Sequence, residues 1–173
     1  MSGTISNVEI GDVDITVNGT HVGHTLGGAT FTFEHEFAEL KVDEYASPVD
    51  YALTAQTMMI KATLAEPTEI NIARAMSDSV LETGSTSDRV HLGRKTGYLL
   101  AQNAVELVLH PRSLPAANTT KDITIYRAIA KESVELAYTV EDQRVLEITW
   151  TALPDESKID GRVLGRIGSN LIS

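Results

Sequence analysis

Three observations predict a mainly β protein, an antiparallel β-sandwich or barrel with one packed α-helix. Apolar and polar residues alternate over most of the chain, which is typical of strands with one buried face. Only one stretch, about residues 67–82, has helical spacing instead. The 173 residues, of which 42% are hydrophobic and 22% charged, suit a single core. We therefore expect residues 1–173 to form one domain with long inter-strand loops.

The first predicted strands lie on either side of a phase change in the alternation. Residues 8–10 follow one phase and residues 13–17 the opposite phase, so we expect a β-bulge or tight turn at residues 11–12. Asn18 and Gly19 follow directly, and both tolerate positive φ. This pair predicts a β-hairpin.

Two longer strands are predicted next, around residues 30–37 and 57–64, joined by a polar loop over about residues 43–50. In the first, Phe31, Phe33 and Phe37 alternate with threonine and glutamate. We expect these aromatic residues to face the core and Glu34 and Glu36 to face away from it. In the second strand the expected inward residues are Met58, Ile60, Ala62 and Leu64.

The predicted helix begins near Pro67, because proline suits a first helical turn, and Glu69 suits the positive end of the helix dipole. Gly84 is expected to end it and to open a long loop. Four more strands are predicted at residues 105–110, 123–129, 134–140 and 145–152. The last of them should point Leu146, Ile148 and Trp150 inward. No patterned element is predicted in the tail, residues 160–168.

The sequence contains no recognisable catalytic, metal or cofactor motif. Cysteine is absent, which excludes disulfides, thiolate nucleophiles and the common zinc frameworks. The glycine-rich residues 23–28 precede a strand and lack a Gly-Lys-Ser/Thr ending, so a turn is favoured over a phosphate loop. His21 and His24 are spaced for opposite faces of a strand, which disfavours a shared metal. Glu34 and Glu36 lie roughly 7 Å apart on one strand face, but a glycosidase would also need an aromatic cleft. We predict no enzyme activity and no cofactor.

Negative charge is concentrated at the start of the chain. Residues 1–60 contain nine acidic residues and one basic residue, a net charge of −8. The other 113 residues contain fifteen acidic and thirteen basic residues, a net charge of −2. Such a surface does not bind nucleic acid, because phosphate binding needs clustered lysine and arginine. It is either a solubilising face or a surface that repels DNA.

The order of these features resembles the tail tube proteins of bacteriophages and the tube proteins of contractile injection and type VI secretion systems. The similarity lies in the overall layout, with the long strand at 57–64 passing through Glu66-Pro67-Thr68-Glu69 into a helix. Residues 56–76 are the most similar part. No single residue is diagnostic.

The resemblance implies a structural virion protein of the tail, assembled in the host cytoplasm, that forms stacked hexameric rings. Strands from six subunits would join into one inner barrel, and DNA would pass through it without specific binding. Its other partners would be the tape measure, baseplate or tip, tail terminator and, in contractile tails, sheath proteins. The residues that would bear on assembly fall in three groups: Glu34 and Glu36 as acids facing the lumen or its mouth; Asp43, Glu44, Tyr45, Ser47, Pro48 and Asp50 in an inter-subunit loop; and Arg162 and Arg166 as inter-subunit cations.

Other classes of protein stay open from the sequence. One is a different virion or secretion component, such as a connector or a capsid decoration protein. Another is a ligand-binding β-sandwich, for example a carbohydrate-binding module, although one tryptophan and five tyrosines form no cluster of aromatics in the sequence. No predicted segment is long and apolar enough for membrane insertion.

Overall fold

The computed structural model describes residues 11–136, 138 and 142–169. The mainly β, antiparallel fold with one packed helix is confirmed. The elements in the described residues are β1 (Val13–Val17), β2 (Thr20–His21), β3 (Thr25–Leu40), β4 (Asp50–Leu64), α1 (Glu69–Ala75), β5 (Val80–Thr83), β6 (Asp88–His91), a 3₁₀ turn (Leu100–Asn103), β7 (Val105–Pro111), β8 (Ile123–Ala130), β9 (Leu146–Ala152) and β10 (Gly165–Ile167). The predicted strand at residues 8–10 lies outside the described residues.

One large sheet carries most of the strands, in the order β2-β1-β7-β8-β9-β4-β3. The short β10 pairs with the first half of β8. It lies on the same edge of β8 as β9, which pairs with the second half of that strand. Ile15 on β1 and Ile60 on β4 belong to the same core cluster although these strands lie near opposite ends of the order. The sheet therefore curves back over itself and encloses one core.

The core is built from the inward phase of the strands, as the alternation predicts. Leu146, Ile148 and Trp150 of β9 are all buried, and so are the predicted inward residues of β4. Each fully buried aliphatic or aromatic side chain contributes roughly 1.5–3 kcal/mol relative to an exposed one. Strands β7, β8 and β9 match their predicted ranges to within two residues.

The N-terminal hairpin is confirmed at the predicted residues. Asn18 and Gly19 connect β1 to β2 with φ angles of 48° and 75°. Two consecutive positive φ angles define the turn whose twist matches that of paired strands. The Asn18 side chain also accepts a hydrogen bond from the backbone N–H of Glu106, at 2.8 Å, which joins this turn to β7.

The predicted helix over residues 67–82 is too long; α1 occupies only Glu69–Ala75. Thr68 caps its start, with Oγ1 accepting a hydrogen bond from the Asn71 N–H. The chain leaves the helix because Ser77 binds the end of β8: its N–H donates to the Ala130 carbonyl, and its Oγ accepts from the Ala130 N–H. These long-range bonds replace the next helical turn.

The long loop expected after Gly84 is instead a second hairpin, formed by β5 and β6. The Gly84 N–H donates to the Ser87 carbonyl at 3.1 Å. A Cβ at Gly84 would lie 2.6 Å from the Ser87 oxygen, so the turn requires glycine. The sequence shows this hairpin poorly because its strands have only four residues each and are largely exposed.

Two other predictions need correction near the C-terminus. Residues 134–136 belong to no strand, and most of the remaining predicted strand, up to residue 140, lies outside the described residues. The tail contains β10, which the sequence analysis missed because three residues show no periodicity. Gly165 allows this pairing, since a Cβ there would collide with the Thr124 carbonyl.

Candidate assembly surface

The two longest strands extend well beyond the rest of the sheet. β3 and β4 pair along almost their whole length, but β4 pairs with β9 only over Met59–Leu64. We call residues 33–57, the distal part of this hairpin, the arm. The eight residues from Phe33 to Leu40 span about 26 Å at roughly 3.3 Å per residue. The arm is therefore a projecting two-stranded ribbon.

Both long edges of the arm lack a partner within the described part of the chain. β3 is the last strand of the sheet order, and no described strand pairs with its outer edge. The opposite edge, formed by Asp50–Thr57 of β4, likewise pairs with no described residue. A two-stranded ribbon alone is marginally stable in water, and unpaired edges are templates for strand addition.

The face of the arm that continues the core is aromatic and apolar. Residues opposite each other in an antiparallel pair lie on the same face, and Phe33 pairs with the buried Met58. The His35 ring lies 4.3 Å from that of Phe33 and 6.0 Å from that of Phe37, which places all three on this face. We call this surface the aromatic face; it comprises Phe33, His35, Phe37, Tyr51 and Leu53.

A β-bulge at Thr54 brings the two strands into this arrangement. Glu36 pairs with Ala55, but Phe37 pairs with Leu53, so Thr54 is the additional residue on β4. Without it, Leu53 would share a face with Ala55. The sequence carries a signal for the bulge that was not recognised: the large apolar residues Tyr51 and Leu53 occupy odd positions, whereas the inward residues from Met58 to Leu64 occupy even positions.

The prediction that Phe31, Phe33 and Phe37 are core residues is wrong for two of them. Phe31 is partly buried against the core, whereas Phe33 and Phe37 are 43% and 58% exposed. Alternation identifies the face of a strand on which a residue lies. It does not show where the body, meaning the rest of the sheet with its core, ends beneath that face. Tyr51 and Leu53 are similarly exposed, so the single chain leaves a contiguous apolar surface uncovered.

Glu34 and Glu36 lie on the opposite face of the arm, away from the core, and both are exposed. Thr32 and Thr57 share this polar face. The arm as a whole has six acidic residues and one basic residue, a net charge of −5. The face with Glu34 and Glu36 is acidic, and the aromatic face is largely apolar; its one acid, Glu39, lies opposite Tyr51 and is paired with Lys41.

The predicted inter-subunit loop forms the end of the arm. We call residues 41–49 the tip. Asp43, Glu44, Tyr45 and Ser47 are exposed there, Pro48 is half-buried, and Asp50 is the first residue of β4. The tip is held by its own backbone bonds, from the Val49 N–H to the Leu40 carbonyl at 2.8 Å among them. No hydrogen bond or ion pair found among the described residues connects the tip with the body.

The predicted C-terminal cations lie far along the chain but close to the base of the arm. Arg162 is exposed, and Arg166 is half-buried in β10 opposite Thr124. Residues 160–167 line one side of a groove of about 340 Å³, and Phe31 and Phe33 line the other. The structure thus brings these cations to the arm and does not bring them to the acidic tip.

The described residues contain no group of three or more histidine, aspartate or glutamate side chains placed to hold one metal ion. His24 lies 4.0 Å from Glu66, and His35 belongs to the aromatic face. No helix in this part of the chain has the length and apolar character required to cross a bilayer.

No protein-family model matches this chain, and no curated protein matches it in sequence.

Proposed function

We propose that this chain is a structural subunit that self-assembles into stacked hexameric rings, the inner tail tube through which phage DNA passes into the host. The observation that carries the proposal is the arm, whose two edges and two faces are all available for contacts with other subunits. Strand addition at both edges would satisfy the backbone groups that a single copy leaves to solvent. A ribbon with two available edges suits a head-to-tail ring, because each subunit offers one edge to each neighbour.

The two faces of the arm indicate how such a ring would be oriented. The aromatic face would point outwards, towards the bodies of the subunits, because it continues the core-facing side of β4. The face with Glu34 and Glu36 would then line the lumen. Carboxylates there would repel the DNA phosphates and keep the polyanion from binding to the wall.

Arg162 fits a secondary role in the proposed tube. It is exposed beside the base of the arm, where an adjacent subunit's acidic arm would pass. Arg166 is less accessible, since it lies half-buried in β10. Replacing both with glutamate should weaken ring assembly, and unchanged assembly would remove these cations from the interface.

The test of the proposal is assembly of the purified protein. Light scattering coupled to size-exclusion chromatography should show concentration-dependent oligomers, and negative-stain electron microscopy should show rings or hollow tubes. A monomer at every concentration would contradict the proposal. Solid fibres without a lumen would also contradict it.

A matched pair of substitutions tests whether the aromatic face is the interface. Leu53 and Ala55 are both exposed and only two residues apart, but the bulge at Thr54 places them on opposite faces. Leu53→Glu should abolish assembly, because it buries an unpaired charge among apolar contacts. Ala55→Glu should leave rings intact, because the proposed lumen face is already acidic. Equal effects of the two variants would reject this orientation of the arm.

A further inference from the structure

A second exposed surface lies after α1 in the sequence. It is positively charged, whereas the arm, which precedes α1, is negatively charged. Residues 89–99, which comprise most of β6 and the loop after it, contain three cations and no acidic residue. We call this stretch the basic segment. Its cations are Arg89, Arg94 and Lys95. No other eleven-residue window of the sequence has three cations without an acid.

The basic segment also exposes large aliphatic side chains. Leu92 and Leu99 are 69% and 67% exposed, among the highest values for the large hydrophobic residues of the described chain. Leu92 lies between Arg89 and Arg94 in the sequence, and Leu99 follows Lys95 by four residues, so the segment combines exposed apolar side chains with positive charge. Apolar centres with charged rims are typical of contacts between proteins.

The tip of the arm has the complementary composition. Tyr45 is 66% exposed, and Val42 and Val49 are exposed beside it. Asp43 and Glu44 lie between Val42 and Tyr45, whereas Lys41, the one cation of the tip, is paired with Glu39, so the unpaired charge beside these apolar side chains is negative. Opposite charges around two apolar centres favour docking of one surface on the other.

Among the described residues, no hydrogen bond or ion pair joins the tip to the basic segment of the same copy. The tip stands at the end of a ribbon about 26 Å long at roughly 3.3 Å per residue, and in the described part of the chain its hydrogen bonds and ion pairs are all made within the arm itself. A second copy of the chain carries the basic segment with the required charge and exposed leucines.

We propose that the tip of one subunit docks on the basic segment of a second copy, with Tyr45 packing against Leu92 and Leu99, and Asp43 and Glu44 facing Arg89 and Lys95. This inference rests on the proposed self-assembly and names the surface that receives the tip. The contact is heterologous, because a different surface of each copy takes part, so it propagates from subunit to subunit.

Arg94 has a structural role in the basic segment and is left unchanged in the test. Its Nε and NH2 groups donate to the carbonyls of Asp78 and Ser79, at 3.2 Å each, and its guanidinium lies 4.5 Å from the centre of the Tyr98 ring. Substitution there would disturb the fold. Arg89 and Lys95 are exposed and suit charge reversal; Arg89 makes only a 3.7 Å ion pair with Glu82.

Charge reversal and its compensation test the pairing. The tip variant Asp43→Lys/Glu44→Lys and the segment variant Arg89→Glu/Lys95→Glu should each raise the protein concentration needed for assembly about tenfold, as expected for a few partly exposed ion pairs. The variant that combines all four substitutions should assemble within about threefold of the natural chain, because every contact again joins opposite charges. Glu132→Lys/Glu135→Lys is the control, since these exposed acids lie outside both surfaces.

Crosslinking supplies a direct measurement, since the chain has no cysteine of its own. A Tyr45→Cys/Leu92→Cys chain treated with a bismaleimide should give a ladder of linked subunits on denaturing gels, whereas either single variant should give no ladder. Three outcomes would overturn the docking alone while rings still form: no rescue in the combined variant, no ladder, or dimers only. Failure of the natural chain to assemble would overturn the proposed function as well.

Discussion

Strands β3 and β4 run through both the body of the sheet and the arm, yet the same face of this hairpin is buried in the body and exposed in the arm. On β4, Ile60 and Leu64 are fully buried, whereas Tyr51 and Leu53 are each at least half exposed. Both pairs lie on the same face of the hairpin, because the bulge at Thr54 corrects the phase between them. The difference is therefore not one of amphipathic pattern. It arises because the core lies beneath one end of the strands and nothing in the described chain lies beneath the other.

This comparison separates residues that stabilise the fold from residues that are available for assembly. A substitution in the body should lower the free energy of unfolding of a single copy. A substitution on the aromatic face of the arm should leave that free energy nearly unchanged and act on association. The predictions below test this division, and all unfolding measurements refer to protein dilute enough to be monomeric, because assembly raises apparent stability by mass action.

The largest effect is expected at Trp150, which is completely buried in β9. Trp150→Ala should lower the free energy of unfolding by about 3–5 kcal/mol through lost contacts and a residual cavity. Urea denaturation measures it. Tyr51→Ala, the truncation of another aromatic on the exposed arm, is the control and should cost under about 1 kcal/mol. Similar losses in the two variants would contradict the division between body and arm.

Asn71 should give the next largest effect, because its buried amide ties α1 to two other segments. Nδ2 donates to the carbonyls of Val22 and Glu66, at 2.8 and 2.9 Å, and Oδ1 accepts from Arg74 at 3.0 Å. Asn71→Ala leaves these groups without their partner and should cost about 2–3 kcal/mol. Asn118→Ala, which removes an exposed turn contact, should cost about 0.5 kcal/mol. If Asn71→Ala were as mild, the amide would not anchor the helix.

Sequence reasoning succeeded where local pattern decides the structure. The hairpin at Asn18 and Gly19 depends on two backbone conformations, and β7 to β9 depend on alternation over seven or eight residues. It failed where distant contacts decide. α1 ends early because Ser77 bonds to Ala130, 53 residues away. Likewise the loop at residues 43–50 was predicted and forms the tip of the arm, but the exposure of Phe33 and Phe37 depends on where the body ends.

The third prediction concerns pH and involves only the body. His110 on β7 has its Nδ1 2.7 Å from an Asp122 carboxylate oxygen and its Nε2 3.3 Å from the Leu114 carbonyl, and Asp14 on β1 is also close enough to act on it electrostatically. The hydrogen bond to Asp122 raises the pKa of His110 above its usual value. Burial acts in the opposite direction, but it is outweighed by that bond together with the Leu114 carbonyl and the charges of Asp122 and Asp14. With both ring nitrogens facing acceptors, the protonated ring is the form that the fold prefers.

A raised pKa in the folded state has a defined consequence for stability. The contribution of His110 is complete below the unfolded-state pKa of about 6.5 and is lost as pH rises through the higher folded-state pKa. The free energy of unfolding should therefore fall as the pH rises above about 6.5. His110→Gln should remove most of this slope, and His91→Gln, at an exposed histidine beside Glu82, should retain it. An unchanged slope in His110→Gln would assign the pH dependence elsewhere.

The smallest effect on the single copy is expected at Phe37, and it sharpens the comparison most. Phe37 is large and apolar, and a residue of this kind in the body would cost several kcal/mol when truncated. Because 58% of its surface is already exposed, Phe37→Ser should change the free energy of unfolding of the monomer by less than about 0.5 kcal/mol. The same variant should raise the concentration needed for assembly about tenfold, because in the proposed ring a neighbour buries this side chain and its removal weakens the interface.

A large loss of monomer stability would mean that the arm packs on its own body. No change in either quantity would mean that the aromatic face is not an interface. Only the combination of an unchanged monomer and weakened assembly is consistent with an arm whose apolar side is completed by a second copy.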